Sequence, residues 1–205
     1  EKLGVTWANI EEALSKDFII LGTNISFFED FLKENGDKIN PNAVVIDVAS
    51  VKIKPVALMQ KYLPASVEII GTHPLFGPQS GKNGIAGLNM VLCPVRTKRE
   101  KCIQDFLSKT LMLNVLLRTP EEHDRQMAYV QALTHFIGRA ISNMQIPDSD
   151  QKTRAYERLL DIKNFLGGDS YELFKAIENE NPFAKEIREQ FLQELHKLNE
   201  GLGGN

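Results

Sequence analysis

The chain has 205 residues, a formal net charge of −3 and 42% hydrophobic residues, which is enough apolar material for one or two packed domains. The mild acidity argues against nucleic acid as the main partner, and no apolar run of membrane length or signal-peptide pattern occurs. The two cysteines, Cys93 and Cys102, are too few for a disulfide framework and lack metal-ligand spacing, so we expect a reduced, cytoplasmic compartment, no metal site and a core position for Cys93.

The first half of the chain alternates short apolar runs with helical patterns. Strands are predicted at residues 18–21, 44–48, 67–71, 90–93 and 115–117. Helices are predicted at residues 10–14, 54–62 and 98–107, and another begins at Asn24 or Ser26 and stops at Gly36. This alternation is typical of βαβ units, a mostly parallel sheet and right-handed crossovers. Because the strands are apolar without alternation, we expect both faces of the sheet to be covered.

A stretch rich in proline and glycine follows the third predicted strand. Residues 71–81 contain two prolines and three glycines, which predict a rigid loop beyond that strand. His73 lies at its start, where ligands of open α/β sheets commonly bind. An imidazole there suits proton transfer near neutral pH; the alternative is a loop histidine that hydrogen-bonds the backbone.

The pattern becomes entirely helical after residue 118. Thr119, Pro120 and Glu122 form a helix start with a capping box, and the helix is predicted to run to about residue 144 with a broad apolar face. Further helices are predicted at residues 153–165, 170–178 and 182–198. We therefore predict an α/β domain over residues 1–118 and an all-helical domain over residues 119–205.

The run of residues 73–84, HPLFGPQSGKNG, resembles the HPxFGPxSGKNG signature of plant-type arogenate dehydrogenases in the TyrA family of prephenate and arogenate dehydrogenases. The resemblance implies a partial Rossmann-type domain followed by a helical dimerisation domain, with the active site between them. It implies oxidative decarboxylation of arogenate or prephenate in tyrosine biosynthesis, with NAD or NADP as cofactor, a small-molecule substrate and a homodimer. The plant-type members are plastidic.

One motif of that family has no counterpart in the chain. No G-x-G-x-x-G follows a predicted strand, and the resemblance begins partway into the family's first domain, without its first two βα units. We therefore expect this chain alone to bind dinucleotide poorly and to be inactive by itself. The residue that separates NAD from NADP belongs to the same part, so the choice of cofactor stays open.

The resemblance assigns catalytic and cofactor-binding residues to the ends of the predicted strands. His73 matches the catalytic histidine, which accepts the hydroxyl proton while the carbonyl forms. Ser50 matches the serine of a D-x-x-S-V-K motif, which can hydrogen-bond both nicotinamide and substrate; its alternative is a helix cap. Thr23 and Asn24 end a strand where the cofactor passes, and capping is again the alternative.

The helical half contains the substrate-binding residues that the resemblance implies. Gln131 matches a substrate-facing position, and His135, four residues later on the same face, is either a pocket residue or a core histidine. Thr153 begins a run similar to T-K-G-Y-E-x-L-L. Asp169 matches the position that selects arogenate, because a buried carboxylate pairs with its ammonium but is left unpaired by the ketone of prephenate. The alternative for Asp169 is a helix N-cap.

Several charged residues keep no assigned role. Asp47 and Lys52, in the run DVASVK, are predicted to be structural or solvated. His123, in the run EEHD, lies about 18 Å along a helix from His135, which argues against a shared metal site. Many bacterial members of the family that the chain resembles hold a substrate carboxylate with an arginine. The candidates here are Arg139, Arg154 and Arg158, and the alternative for each is a solvated charge.

Two other functions fit parts of the sequence. Another β-hydroxyacid-type dehydrogenase with a helical dimer domain is possible on the fold alone, although residues 73–84 argue against it. A non-catalytic module that dimerises or binds tyrosine-like ligands would need no phosphate cradle. A G-x-G-x-x-G encoded upstream of Glu1 would favour the enzyme.

Overall fold

The computed structural model describes residues 4–166 and 170–203. The chain divides into two compact units, Glu1–His123 and Asp124–Asn205. The first contains the sheet, and the regular elements among the described residues of the second are all helices. No helix in the described ranges is long and apolar enough to cross a membrane.

The sheet of the first unit has five strands among the described residues, in the order β1-β2-β3-β4-β5. They are β1 (Phe18–Leu21), β2 (Val44–Asp47), β3 (Glu68–Pro74), β4 (Asn89–Arg96) and β5 (Asn114–Leu117). β1, β2 and β3 are parallel, β4 is antiparallel to β3, and β5 is parallel to β4. The predicted strands and the mostly parallel sheet are therefore confirmed.

Helices connect these strands at the predicted places. They are α1 (Ile10–Leu14), α2 (Ile25–Asn35), α3 (Ile53–Tyr62) and α4 (Glu100–Asp105), which continues into a π-helical turn, Phe106–Thr110. The side chain of Asn24 caps α2 by accepting a hydrogen bond from the Ser26 amide at 3.1 Å. This cap and the predicted stop at Gly36 set the length of α2.

The core of the first unit lies on the sheet. Val44, Ile70 and Leu92 are fully buried on three neighbouring strands, and Cys93 is buried as predicted. The edge strand β1 differs from expectation, because Phe18 and Ile20 are 55% and 66% exposed while the residues between and after them are buried. The prediction that both faces are covered is therefore wrong for β1.

β3 is longer than the sequence predicts. Pro74 and the glycine-rich stretch were expected to end the strand at Gly71, but β3 runs to Pro74. The antiparallel partner explains the extension, because β4 pairs Thr72 with Leu92 and His73 with Val91. His73 therefore lies in a strand, where its backbone is paired with β4, and not in a loop.

The second unit begins within one long helical stretch, as predicted from Thr119. It comprises α5 (Pro120–Met127), a π-helical turn (Ala128–Leu133) and α6 (Thr134–Asn143). The remaining helices are α7 (Arg154–Leu166), α8 (Tyr171–Glu180) and α9 (Ala184–Leu202). α6 and α7 pack closely at Gly138, where a Cβ would lie 2.5 Å from a Leu166 methyl carbon.

Candidate active site

Ser50 follows β2, and His73 lies near the end of the neighbouring parallel strand β3. β2 pairs with β3 so that Asp47, the last residue of β2, lies opposite Gly71. Ser50 comes after Asp47 in the chain, and His73 comes after Gly71. Because parallel strands run in the same direction, both residues lie at the carboxyl edge of the sheet, where α/β proteins bind ligands.

A buried ion pair joins β2 to the residue before His73. The Lys52 ammonium donates hydrogen bonds to Asp47 Oδ1 and to the Thr72 carbonyl oxygen, the latter at 2.6 Å. The Thr72 hydroxyl donates to the Asp47 carbonyl oxygen at 2.6 Å. Both charged side chains are fully buried, so they are structural and the solvated alternative is wrong. This network holds the backbone from which His73 projects.

Burial and the ion pair act in opposite directions on Asp47. Burial raises the pKa of the Asp47 carboxyl, and the Lys52 ammonium lowers it. Oδ2 of Asp47 is also buried and has no hydrogen-bond partner among the described residues. The carboxylate therefore depends strongly on the Lys52 ammonium for its stabilisation.

Gly71 leaves room for this ion pair. A Cβ at Gly71 would lie 3.2 Å from Lys52 Cδ, 3.2 Å from a Val56 methyl carbon and 3.3 Å from Asp47 Oδ2. These distances are shorter than ordinary van der Waals contact. The absence of a side chain at Gly71 therefore lets the Lys52 stem cross β3 and reach its acceptors.

The His73 imidazole is buried against a second imidazole. Only 5% of His73 and 1% of His123 is exposed. Nδ1 of His73 lies 2.9 Å from Nε2 of His123, and the two rings meet edge to face, with centroids 5.1 Å apart and planes inclined by 66°. Nε2 of His73 makes no hydrogen bond within residues 4–166 and 170–203. Nε2 is thus the ring nitrogen left for a ligand.

The surroundings of His73 favour its neutral form. Burial, the neighbouring His123 and the Lys52 ammonium lower the pKa of His73 well below its usual 6.5. The ring is therefore in its neutral form, with one N–H, at pH 7. A neutral imidazole can accept a proton, which an imidazolium cannot.

The capping box of α5 positions His123. The Glu122 amide donates to the Thr119 hydroxyl at 3.1 Å, and the Thr119 amide donates to Glu122 Oε2 at 2.8 Å. These bonds confirm the predicted helix start and place His123 in the first turn of α5. The sequence did not indicate its contact with His73. The sequence held one signal that His123 is buried: it precedes the apolar Met127 by four residues, so the two side chains share one helix face, and Met127 is buried.

The proposed cofactor residues lie at the same sheet edge. Thr23 is half-buried between β1 and α2, and Asn24 is exposed and caps α2. Ser50 is half-buried between β2 and α3. The N-cap residue of α3 is Lys52, so the capping alternative for Ser50 is wrong, whereas capping by Asn24 is observed.

Two predicted substrate residues belong to the long helical stretch of the second unit. Gln131 lies in the π-helical turn, and its Oε1 is buried without a hydrogen-bond partner among the described residues. His135 is half-buried in α6 and has an interaction partner. Single π-helical turns are frequent at functional sites, because they shift side chains out of α-helical register.

The other two predicted substrate residues lie next to helix starts. Thr153 is exposed and accepts a hydrogen bond from the Tyr156 amide at 3.3 Å, as a cap of α7. Asp169 lies outside the described residues. Ser170 occupies the N-cap position of α8 and accepts from the Leu173 amide at 3.1 Å.

The candidate arginines have different surroundings. Arg158 is exposed and forms an ion pair with Asp161 at 3.3 Å. Arg154 is also exposed, and both arginines line an open, charged hollow of about 640 Å³. The guanidinium of Arg139 instead lies 5.3 Å from the centre of the Phe174 ring. An aromatic contact therefore orients Arg139, whereas the side chains of Arg154 and Arg158 are exposed to solvent.

Comparison with known sequences identifies relatives. The family model described as prephenate dehydrogenase, nucleotide-binding domain, matches residues 1–114, and a TYRAAT1-like C-terminal domain matches residues 140–205. Chloroplastic arogenate dehydrogenase 2 of Arabidopsis thaliana is 33% identical over 92% of this chain and 54% of its own length. A probable arogenate/prephenate dehydrogenase of Methanocaldococcus jannaschii is 28% identical over 98% of this chain and 47% of its own length. The chain thus spans about half the length of these curated relatives.

Solved structures share the fold. Prephenate dehydrogenase from Aquifex aeolicus superposes with a TM-score of 0.73 at 22% identity, covering 95% of this chain and 73% of that one. Its complex with hydroxyphenyl propionate and NAD⁺ gives 0.71 at 22% identity, covering 93% and 70%. Synechocystis arogenate dehydrogenase gives 0.65 at 21%, covering 93% and 72%. The predicted class, a Rossmann-type α/β sheet followed by helices, is confirmed.

Proposed function

Because this chain belongs to the prephenate dehydrogenase family, whose nucleotide-binding domain matches residues 1–114, we propose that it is the catalytic part of an NAD(P)-dependent arogenate or prephenate dehydrogenase. The proposed reaction oxidises the ring carbon that bears the 4-hydroxyl, releases carbon dioxide and leaves an aromatic ring. Similarity to arogenate dehydrogenase 2 supports arogenate as the preferred substrate.

The state of His73 is the observation that carries this proposal. It is a neutral imidazole at the carboxyl edge of the sheet, with Nδ1 against His123 and Nε2 available to a ligand. A general base must be unprotonated and must point a lone pair at the proton that it removes. The neutral His73 ring carries no extra proton, and the strand that carries it fixes its position.

His73 moves one proton in the proposed reaction. Nε2 takes the hydroxyl proton as the O–H bond breaks and the carbonyl forms, while a hydride leaves the same carbon. The bond to the ring carboxylate then breaks, its electron pair makes the ring aromatic, and carbon dioxide departs. His73 returns its proton to the phenolate oxygen, so that the base is regenerated.

We propose NADP or NAD as the cofactor. Its nicotinamide would lie near Ser50, and another part of the dinucleotide would pass the carboxyl end of β1. When bound, the nicotinamide supplies the hydride acceptor. The half-buried Thr23 and Ser50 suit this role as hydroxyl residues at the ligand-binding edge. Asn24 suits it less, because its side-chain oxygen is engaged in the α2 cap.

The substrate residues are proposed in the second unit. The buried Oε1 of Gln131 needs a hydrogen-bond donor, and the ammonium of arogenate is one. His135, Thr153 and Asp169 complete the proposed set, with Asp169 pairing with the same ammonium. A homodimer through the helical unit is also proposed. Its support is the exposed stripe of leucines along α9, formed by Leu192, Leu195, Leu198 and Leu202.

The direct test uses the polypeptide that the gene encodes in full. It would be incubated with arogenate or prephenate and with NAD⁺ or NADP⁺, and nicotinamide reduction, carbon dioxide and the aromatic product would be measured. We expect tyrosine from arogenate, with a higher kcat/KM than for prephenate. A folded polypeptide that reduces neither cofactor with either substrate would contradict the proposed function and favour a non-catalytic module.

A further inference from the structure

The contact between His73 and His123 requires a proton between two nitrogens. At 2.9 Å, one nitrogen must carry the hydrogen and the other must accept it. If Nδ1 of His73 is the donor, Nε2 of this neutral ring has a free lone pair. If Nε2 of His123 is the donor, the proton of a neutral His73 is on its own Nε2, and that nitrogen then has no lone pair with which to accept another proton. The direction of this single hydrogen bond therefore decides whether His73 is a base at Nε2.

We propose that His123 is a positioning residue whose Nε2 accepts the Nδ1–H of His73 and thereby holds His73 in the tautomer with a bare Nε2. The catalytic consequence rests on the proposed function, whereas the tautomer itself does not. His123 does not touch the reacting atoms in this scheme and acts only through His73.

The packing of both rings supports a fixed arrangement. His123 is 1% exposed, and the capping box fixes the backbone of its helical turn. His73 lies in a strand whose preceding carbonyl is held by Lys52. Neither ring can turn away without breaking buried contacts, so the hydrogen bond can select a tautomer persistently.

The charged groups around the pair favour a neutral His73. The Lys52 ammonium lies on the carbonyl of the residue before His73 and is paired with Asp47, and His123 faces the His73 ring from α5. The buried ammonium disfavours a second positive charge, and an imidazolium at His123 could not accept a hydrogen bond at Nε2. The proposed hydrogen bond therefore needs a bare Nε2 on His123.

The same hydrogen bond would strengthen during the reaction. When Nε2 of His73 takes the hydroxyl proton, the ring becomes an imidazolium, and its Nδ1–H makes a charge-assisted bond to His123. An orienting partner plays this part in other histidine-dependent enzymes, where the wrong tautomer slows the reaction greatly. Here the partner is a neutral imidazole and not a carboxylate.

Nitrogen NMR of this chain reads the tautomer directly. The chain has four histidines, so ¹⁵N-histidine labelling gives few signals, and single substitutions can assign them. We expect His73 to carry its proton on Nδ1 and to have an unprotonated Nε2 at pH 7. A wild-type His73 that carries its proton on Nε2 would overturn the proposal.

Substitutions of His123 test the cause. His123→Phe removes the acceptor and should shift His73 away from the Nδ1–H form. His123→Gln keeps a side-chain oxygen that can accept and should retain it. His196→Gln, at an exposed histidine on α9, is the matched control and should change nothing. An unchanged His73 tautomer in folded His123→Phe would refute the role of His123. If His123→Phe does not fold, the wild-type and His123→Gln spectra still test the proposal, because both should show His73 with its proton on Nδ1.

Kinetics of the fully encoded polypeptide give the second measurement. We expect His123→Phe to lower kcat by at least about tenfold while KM changes by less than about twofold, because only the base is affected. His123→Gln should restore most of kcat. A near-normal kcat in His123→Phe would overturn the positioning role. If the wild type has no dehydrogenase activity, the proposed function fails, and the NMR result still decides the tautomer.

Discussion

At the scale of single residues, burial and a neighbouring ammonium act in the same direction on His73. Both disfavour the imidazolium, so the folded chain holds the ring neutral at pH values where an exposed histidine would begin to take up a proton. The unfolded chain has no such constraint, and its His73 has an ordinary pKa of about 6.5. Acid should therefore favour the unfolded state.

This difference predicts a pH-dependent stability. Below about pH 6.5 the unfolded state binds more protons than the folded state, so the free energy of unfolding should fall by up to about 1.4 kcal/mol per pH unit from His73 alone. Urea unfolding at pH 7.5, 6 and 5 measures this slope. His73→Gln should have a shallower slope, and the exposed control His196→Gln should not. Equal slopes in wild type and His73→Gln would contradict the lowered pKa.

The buried ion pair predicts a large effect of removing Lys52. Lys52→Met leaves Asp47 without its counter-charge and the Thr72 carbonyl without a donor, so we expect a loss of about 3–5 kcal/mol in the free energy of unfolding. Lys61→Met is the matched control. Lys61 lies in α3, the helix that Lys52 precedes, in an exposed ion pair with Glu29, and its loss should have a much smaller effect. Similar small losses in both variants would mean that the buried pair contributes little.

The sequence could identify His73 but not its partner. The resemblance pointed to His73 through a continuous run of residues, whereas His123 comes 50 residues later in the chain. Pairing of two distant side chains depends on tertiary structure, which local patterns do not encode. For the same reason the burial of Lys52, whose side chain crosses a neighbouring strand, could not be predicted.

At the scale of elements, local patterns located most strands and helices, and the differences have identifiable causes. β1, β2 and α3 begin and end within one or two residues of prediction, because their apolar residues specify them. β3 extends beyond its predicted end at Gly71 to Pro74, because the antiparallel strand β4 pairs with these residues. The π-helical turn that contains Gln131 was not predicted, since an apolar face tolerates one inserted residue without losing its pattern.

The close approach at Gly71 predicts a site-specific effect of a single methyl group. Gly71→Ala places a Cβ against Lys52, Val56 and Asp47, so we expect a loss of roughly 1–3 kcal/mol in the free energy of unfolding. Gly77→Ala, farther along the same glycine-rich stretch, is the control, because its Cβ would meet nothing within 4 Å. Equal effects of the two substitutions, measured by urea unfolding, would argue against this packing.

At the scale of the whole molecule, the order of strands and helices in the sequence predicted a sheet followed by helices. The antiparallel direction of β4 was not predictable, because a strand's direction depends on the path of the connection and not on its own composition. The family matches cover residues 1–114 and 140–205, and relatives are about twice as long as this chain. Neither these matches nor the strand pattern supplies a glycine-rich phosphate motif within the 205 residues.

The absence of a glycine-rich phosphate motif predicts weak dinucleotide binding by the 205 residues alone. Without a G-x-G-x-x-G turn, the pyrophosphate lacks the backbone amides that usually hold it, and the edge residues Thr23 and Ser50 can contact only the rest of the cofactor. Isothermal titration of this chain with NAD⁺ and NADP⁺ should give dissociation constants weaker than micromolar. Micromolar binding by these residues would show that a different phosphate site exists.

The base assigned to Nε2 of His73 is tested most directly by the rate of the chemical step. His73→Asn and wild type would be compared in the fully encoded polypeptide by single-turnover reduction of the nicotinamide, with urea unfolding as the check on folding. We predict that the variant folds and that its rate falls by about 100- to 10,000-fold, the usual contribution of a positioned base. A folded His73→Asn variant that reduces cofactor at close to the wild-type rate would contradict the assignment.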